Sequence, residues 1–228
     1  MKRLLSFAVW GSDPKYLTGA RKNALLAQEI YPDWTCRFFV SQEVPYPWVY
    51  NLKKLSNTEI IQVSQIGDWT FSFHRFYAMS DPEVEVMISR DADSRLTLRE
   101  KAAVDEWLDS DKGFHIMKDH PWHYTYPILA GMFGCKSNVI KNVAGKIQNF
   151  EKTNWYHSDQ EFLKQAIYPE IKNNVFVHDD WNANPFPVAR KNYEFIGQVL
   201  MKMTILFRNM LIFLKAHYEN RQSYTFYK

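Results

Sequence analysis

The feature that most constrains this chain is the alternation of short apolar runs with helix-patterned stretches along most of its length. Residues 4–10 are almost wholly apolar and stop at Gly11-Ser12-Asp13-Pro14, as a buried strand running into a loop does. Residues 16–30 carry Leu17, Ala20, Ala24, Leu25 and Ala27 at helical spacing. They end at Tyr31-Pro32 because proline disfavours helical geometry in the residue before it. Residues 34–40, 59–63, 84–89, 114–117 and 175–177 read as further strands, and residues 70–79, 98–108, 136–149 and 158–166 as helices. Thr97 with Glu100 three residues later forms a capping-box spacing at one helix start. Residues 120–134, broken by Pro121, Pro127, Gly131 and Gly134, read as a loop. The order predicts an α/β fold with a mainly parallel central sheet flanked by helices, its ligands gathering beyond the strands' carboxyl ends.

A chain of 228 residues suits one such domain. Residues 1–198 are its expected extent, with 199–228 as an apolar and basic helical extension. The net charge of +3 comes from interspersed Lys and Arg, with no basic tract to suggest nucleic-acid binding. Cys36 and Cys135 are the only cysteines, too few for a disulfide framework or a paired-cysteine metal knuckle, and a reduced cytoplasmic setting is expected. Aromatic residues make up 16% of the chain, and several fall in polar stretches such as residues 121–127, where they could meet sugars or simply fill a core.

The chemistry concentrates at Asp91-Ala92-Asp93, two carboxylates one residue apart directly after a buried strand. Oxygen ligands of this kind suit Mg²⁺ or Mn²⁺. Such an ion can bridge diphosphate oxygens and neutralise a departing nucleotide. The ordinary alternative is a helix-capping turn. Among other candidates, Arg75 offers paired donors to phosphate or sugar oxygens. His178 stands at a strand end, where neutral imidazole could join carboxylates on a metal or could be structural. Asp159 lies at a helix start, where a cap is the common role. Asp119 sits on a loop after a strand. No GxxxxGK[ST] phosphate loop is present, which argues against nucleotide hydrolysis.

The segment Ser89-Arg90-Asp91-Ala92-Asp93-Ser94-Arg95-Leu96, followed by a helix containing Arg99-Glu100 and Glu106-Trp107-Leu108, resembles the small GT-A glycosyltransferases of bacteria and large algal viruses. The resemblance continues in order through residues 115–121, Gly131-Met132-Phe133-Gly134, residues 158–163, His178-Asp179 and residues 193–198. It implies a metal-dependent transfer of a sugar from a nucleoside-diphosphate donor, with a UDP-sugar expected, to a hydroxyl of a glycan, glycolipid or glycoprotein. A non-catalytic carbohydrate-binding protein is the alternative.

The same resemblance implies roles for particular positions. Ala8, Val9, Trp10 and Gly11 would lie against the base and ribose, and Arg75 would contact the donor. Asp91, Ala92, Gly131, Met132 and Gln160 would line the donor site. Asp91, Asp93 and His178 would hold the metal, and Asp159 would be the catalytic residue with Asp119 its competitor. The glycine and lysine by which related retaining enzymes engage the diphosphate are not matched after His178. Arg190 or Lys191 is the expected substitute, and inversion assisted by Asp159 is the expected outcome. Residues 199–217 mix apolar side chains with Lys202 and Arg208, which disfavours a membrane span and suits either docking on the domain or peripheral membrane contact.

Overall fold

A computed structural model describes residues 1–182 and 184–199. The C-terminal extension expected over residues 199–228 therefore lies, beyond Val199, outside the described residues. Seven strands, β1 (Lys2–Val9), β2 (Thr35–Ser41), β3 (Thr58–Val63), β4 (Val84–Arg90), β5 (Phe114–Lys118), β6 (Met132–Lys136) and β7 (Val175–Asp179), form one sheet in the order β3-β2-β1-β4-β6-β5-β7. All pairings are parallel except those of β6, which runs antiparallel to both β4 and β5. The sheet is mainly parallel and covered by helices, as the alternating pattern predicts.

The helices are α1 (Pro14–Ile30), α2 (Tyr46–Lys53), α3 (Leu98–Asp109), α4 (Val143–Asn149), α5 (Ser158–Phe162) and α6 (Tyr168–Ile171), with a π-helical turn at Leu163–Ile167 joining the last two. Local chemistry explains their ends. The Asp13 side chain accepts from Lys15 N to cap α1, with proline in the first turn, and the Thr97 hydroxyl accepts from Glu100 N to cap α3. One apolar layer packs Leu17, Ala20, Ala24 and Ala27 of α1 and Val104 and Trp107 of α3 beneath β1, β2 and β4. The opposite layer is rich in aromatics, including Phe73, Phe76, Phe114, Phe133 and Phe162.

Three expectations change. The stretch expected to be helical over residues 70–79 is a 3-10 segment, Trp69–Ser80, capped by Asp68. The expected loop over residues 120–134 ends inside β6, where Gly134 lies under Trp107: a Cβ there would sit 2.6 Å from the indole ring. The helix expected over residues 136–149 begins only at Val143, after Asn142 in a left-handed conformation whose side chain accepts from Gly145 N.

Candidate active site

Three segments converge beyond the carboxyl ends of β1 and β4. Ser6 of β1 pairs with Ser89 of β4, and Arg90 of β4 pairs with Met132 of β6. Because β6 is antiparallel, the chain enters it where β4 leaves off. This brings Gly131 against Asp91: a Cβ on Gly131 would lie 2.1 Å from Asp91 Oδ2, so a larger residue there would push the carboxylate from its place. The cleft so formed is lined by Ala8 and Trp10 after β1, Tyr16 of α1, and Trp69, Ser72 and Arg75 of the 3-10 segment. Asp91, Ala92 and Asp93, together with Ala130, Tyr156, Asp159, Gln160 and Val199, complete the wall.

Arg75 is the hub of its charges. The buried guanidinium donates to Asp91 Oδ1, to Asp159 Oδ2 at 2.7 Å and to the Arg90 carbonyl at 3.2 Å. Burial alone would weaken its hold on the proton, but the charges of Asp91 and Asp159 outweigh burial and raise its pKa. Asp93 Oδ2 is 3.0 Å from Lys15 Nζ on the first turn of α1. Its carboxyl pKa is raised, first by burial and then by the neighbouring Asp91 charge, with Lys15 acting against both. Two carboxylates that repel each other on a cleft wall form a site that favours a cation.

The turn bearing the pair is fastened to α1. Asn23 Nδ2 donates to the Ala92 carbonyl at 3.3 Å and the Ser94 carbonyl at 3.0 Å, and Leu96 N donates back to Asn23 Oδ1. Gly19 permits this approach, since a Cβ would sit 2.0 Å from the Ala92 oxygen. Neither residue is singled out by the sequence pattern; an asparagine and a glycine on the buried face of an amphipathic helix are the signal that could have been used. Lys15 carries no sequence signal of its own, because a lysine in the first turn of a helix is ordinarily a solvated surface residue.

Of the other expected donor-site residues, one lines the cleft and the rest do not. Gln160 lines the cleft and its Oε1 accepts from Ala130 N at 3.2 Å. Val9 is in the core, and Met132 packs with Ala103, Met117, Phe186 and Ile196. Gly11, at φ 68°, shapes the loop beside Trp10, its N–H donating to Glu43 Oε1 at 3.0 Å.

The structure does not bring His178 to the carboxylate pair. It is fully buried within β7, one ring nitrogen 2.8 Å from His115 Nε2 and the other 3.2 Å from Glu106 Oε2. Among the described residues, no three His, Cys, Asp or Glu side chains gather as a metal cage. Asp91 and Asp93 still fit Mg²⁺ or Mn²⁺, because such ions are commonly held by one or two carboxylates with water and substrate phosphate completing the shell.

Asp119 is likewise removed from the cleft. It is wholly buried, accepting from Arg99 at 2.9 and 3.2 Å, from Arg190 at 2.5 Å and from Ile196 N at 2.9 Å. Arg190 is thus engaged with Asp119, while Lys191 borders a separate apolar groove with Leu98 and Phe195.

No family model and no curated sequence matches the chain. Solved structures do. The glycosyltransferase involved in glycosylation of the major capsid of PBCV-1 aligns with a TM-score of 0.52 at 14% identity, covering 79% of this chain and 82% of that one. The mannosyltransferase PcManGT from Pyrobaculum calidifontis, in complex with GDP-Man and Mn²⁺, aligns at 0.51 and 10% identity over 78% of this chain and 55% of its own. The 4-diphosphocytidyl-2C-methyl-D-erythritol synthase from Anaerococcus prevotii aligns at 0.56 and 9% identity, covering 91% and 94%. The architecture is the GT-A fold of nucleotide-diphospho-sugar transferases. Glycosyltransferases such as the PBCV-1 enzyme are among its structural neighbours, and the 4-diphosphocytidyl-2C-methyl-D-erythritol synthase shares the same frame.

Proposed function

We propose that the chain is a divalent-metal-dependent glycosyltransferase that moves a sugar from a nucleoside diphosphate, with a UDP-sugar the expected donor, to a hydroxyl of a glycan or glycoconjugate. The observation that carries this reading is the meeting of Asp91, Asp93, Arg75 and Asp159 with the rings of Trp10, Tyr16, Trp69 and Tyr156 on one cleft. Asp91 and Asp93 would hold Mn²⁺ or Mg²⁺, which would supply Lewis-acid stabilisation of the departing diphosphate. Trp10, stacked near Tyr16 with centroids 6.3 Å apart, offers a flat wall for a base, and the loop after β1 lacks the repeated glycines of a phosphate cradle.

Asp159 faces the space beyond the carboxylate pair, its Oδ2 anchored by Arg75. A carboxylate so anchored has a fixed direction, which suits it to accept from a sugar hydroxyl or to draw the proton from an attacking one. Trp69 and Tyr156, edge to face at 4.9 Å with Tyr156 exposed, present ring surface at the mouth of the cleft, where an acceptor sugar would stack.

Calorimetry with a panel of nucleotide sugars, with and without Mn²⁺, tests the proposal. Binding should require Mn²⁺ and vanish in Asp91→Ala and Asp93→Ala. Metal-independent binding of glycans with no affinity for nucleotide sugars would replace the transferase reading with a carbohydrate-binding one.

A further inference from the structure

A diphosphate leaving group needs a cationic partner from the protein besides any metal, and the candidates near the cleft can be compared one by one. Arg75 is already shared between Asp91 and Asp159. Arg95 Nη1 donates to the Ala92 and Ser94 carbonyls at 3.4 and 2.5 Å, supporting the turn. Arg190 is tied to Asp119, and Lys191 borders the separate groove. Lys15 differs from all of these. Its ammonium sits 3.0 Å from Asp93 Oδ2 and 4.1 Å from the centre of the Tyr16 ring, and Tyr16 itself lines the cleft.

We infer that Lys15 and a divalent cation compete for Asp93, and that Lys15, once displaced, pairs with the donor diphosphate. The inference rests on the metal-dependent reading of the cleft given above. A divalent ion on a carboxylate oxygen repels an ammonium a few ångströms away, so each partner weakens the other's hold on the one carboxylate. The lysine stem is long and flexible, and its side chain is one-quarter exposed, so the ammonium can swing past the Tyr16 ring. The site thereby exchanges one pairing for another: Asp93 passes from ammonium to metal, and the ammonium passes from carboxylate to phosphate. Asp93 has a cationic partner at both stages, while Asp91 and Asp159 share Arg75.

This predicts opposite effects of one substitution on two ligands. In Lys15→Met, Mn²⁺ measured by the electron paramagnetic resonance of the free ion should bind several-fold more tightly, because its competitor is gone. UDP, titrated calorimetrically at saturating Mn²⁺, should bind about tenfold more weakly, the loss of one charge-assisted contact. Lys15→Arg should restore UDP affinity, and circular dichroism melting of both variants reports on folding. A lysine that merely steadies the turn would lower both affinities together. Unchanged or weakened Mn²⁺ binding in Lys15→Met, with the wild type binding Mn²⁺ and UDP normally, overturns the role of Lys15 alone. A wild type that fails to bind Mn²⁺ overturns the metal reading and this inference with it.

Discussion

Asp119 and Asp159 carry the same functional group in opposite circumstances. Asp119 has no exposure and is held by two guanidinium groups and a backbone N–H, so its charge is spent on structure. Asp159 stands on the cleft wall with one oxygen on Arg75. Asp119→Asn leaves the buried Arg99 and the half-buried Arg190 undercompensated and is expected to cost about 3–5 kcal/mol in urea unfolding. Asp159→Asn leaves Arg75 paired with Asp91 and should cost less stability than Asp119→Asn while lowering the transfer rate by about 100-fold or more. The reverse pattern would move the catalytic role to Asp119. From sequence the two compete, because an aspartate at a helix start and one on a loop after a strand could each face a ligand. Both are buried, and what separates them is that Asp119 is enclosed by distant residues such as Arg190 and Ile196 while Asp159 borders the cleft, which no local pattern encodes. His178 shows a similar limit. Reading β7 as residues 175–177 leaves His178 in a loop, free to reach a metal, whereas the strand runs to Asp179 and pairs His178 with Met117. Successive strand side chains point to opposite faces, so two extra strand residues decide which way the imidazole points.

At the scale of elements, the helices and parallel strands were legible because their apolar periods are strong, and the exceptions have physical causes. The aromatic spacing over residues 70–79 suits an α-helical period. In the 3-10 segment, residues three apart align, so Trp69, Ser72 and Arg75 share the cleft face while Phe73 and Phe76 share the core. β6 is hidden by two glycines, Gly131 just before it and Gly134 within it, which mark close approach to Asp91 and to Trp107. Helix α1 does more than cover the sheet. Its Gly19 and Asn23 seat the turn that carries Asp91 and Asp93. Gly19→Ala should force α1 away from Ala92, costing about 1–3 kcal/mol of stability. The displacement should also weaken Mn²⁺ binding, detectable by the same free-ion resonance. Normal stability and Mn²⁺ affinity in that variant would show that α1 can shift without disturbing the pair.

Across the whole molecule, polar groups are buried well beyond the cleft, and the histidines make this testable. His115, His120, His123 and His178 are all buried, and burial is the leading cause lowering each of their pKa values. His120 falls to about 4 and His123 to about 3, the latter helped by the nearby charges of His120, Arg190 and Lys118. His123 Nδ1 accepts from Asp119 N at 3.0 Å, a bond available only while that nitrogen is unprotonated. The direction of the pH effect follows. Below the ordinary histidine pKa of about 6.5 the unfolded chain takes up protons that the folded chain refuses. The stabilisation is therefore complete above about pH 6.5 and is lost as the pH falls toward the folded-state values. At about 1.4 kcal/mol per pH unit, His123 alone accounts for about 2 kcal/mol lost at pH 5. Urea unfolding should show a flat plateau above pH 7 and a clear fall in midpoint by pH 5, before most carboxylates titrate. His123→Gln, which can still accept from Asp119 N, should reduce the slope between pH 6.5 and 5 relative to wild type. Equal slopes in the two proteins would mean that His123 takes up its proton in the folded state as readily as in the unfolded one.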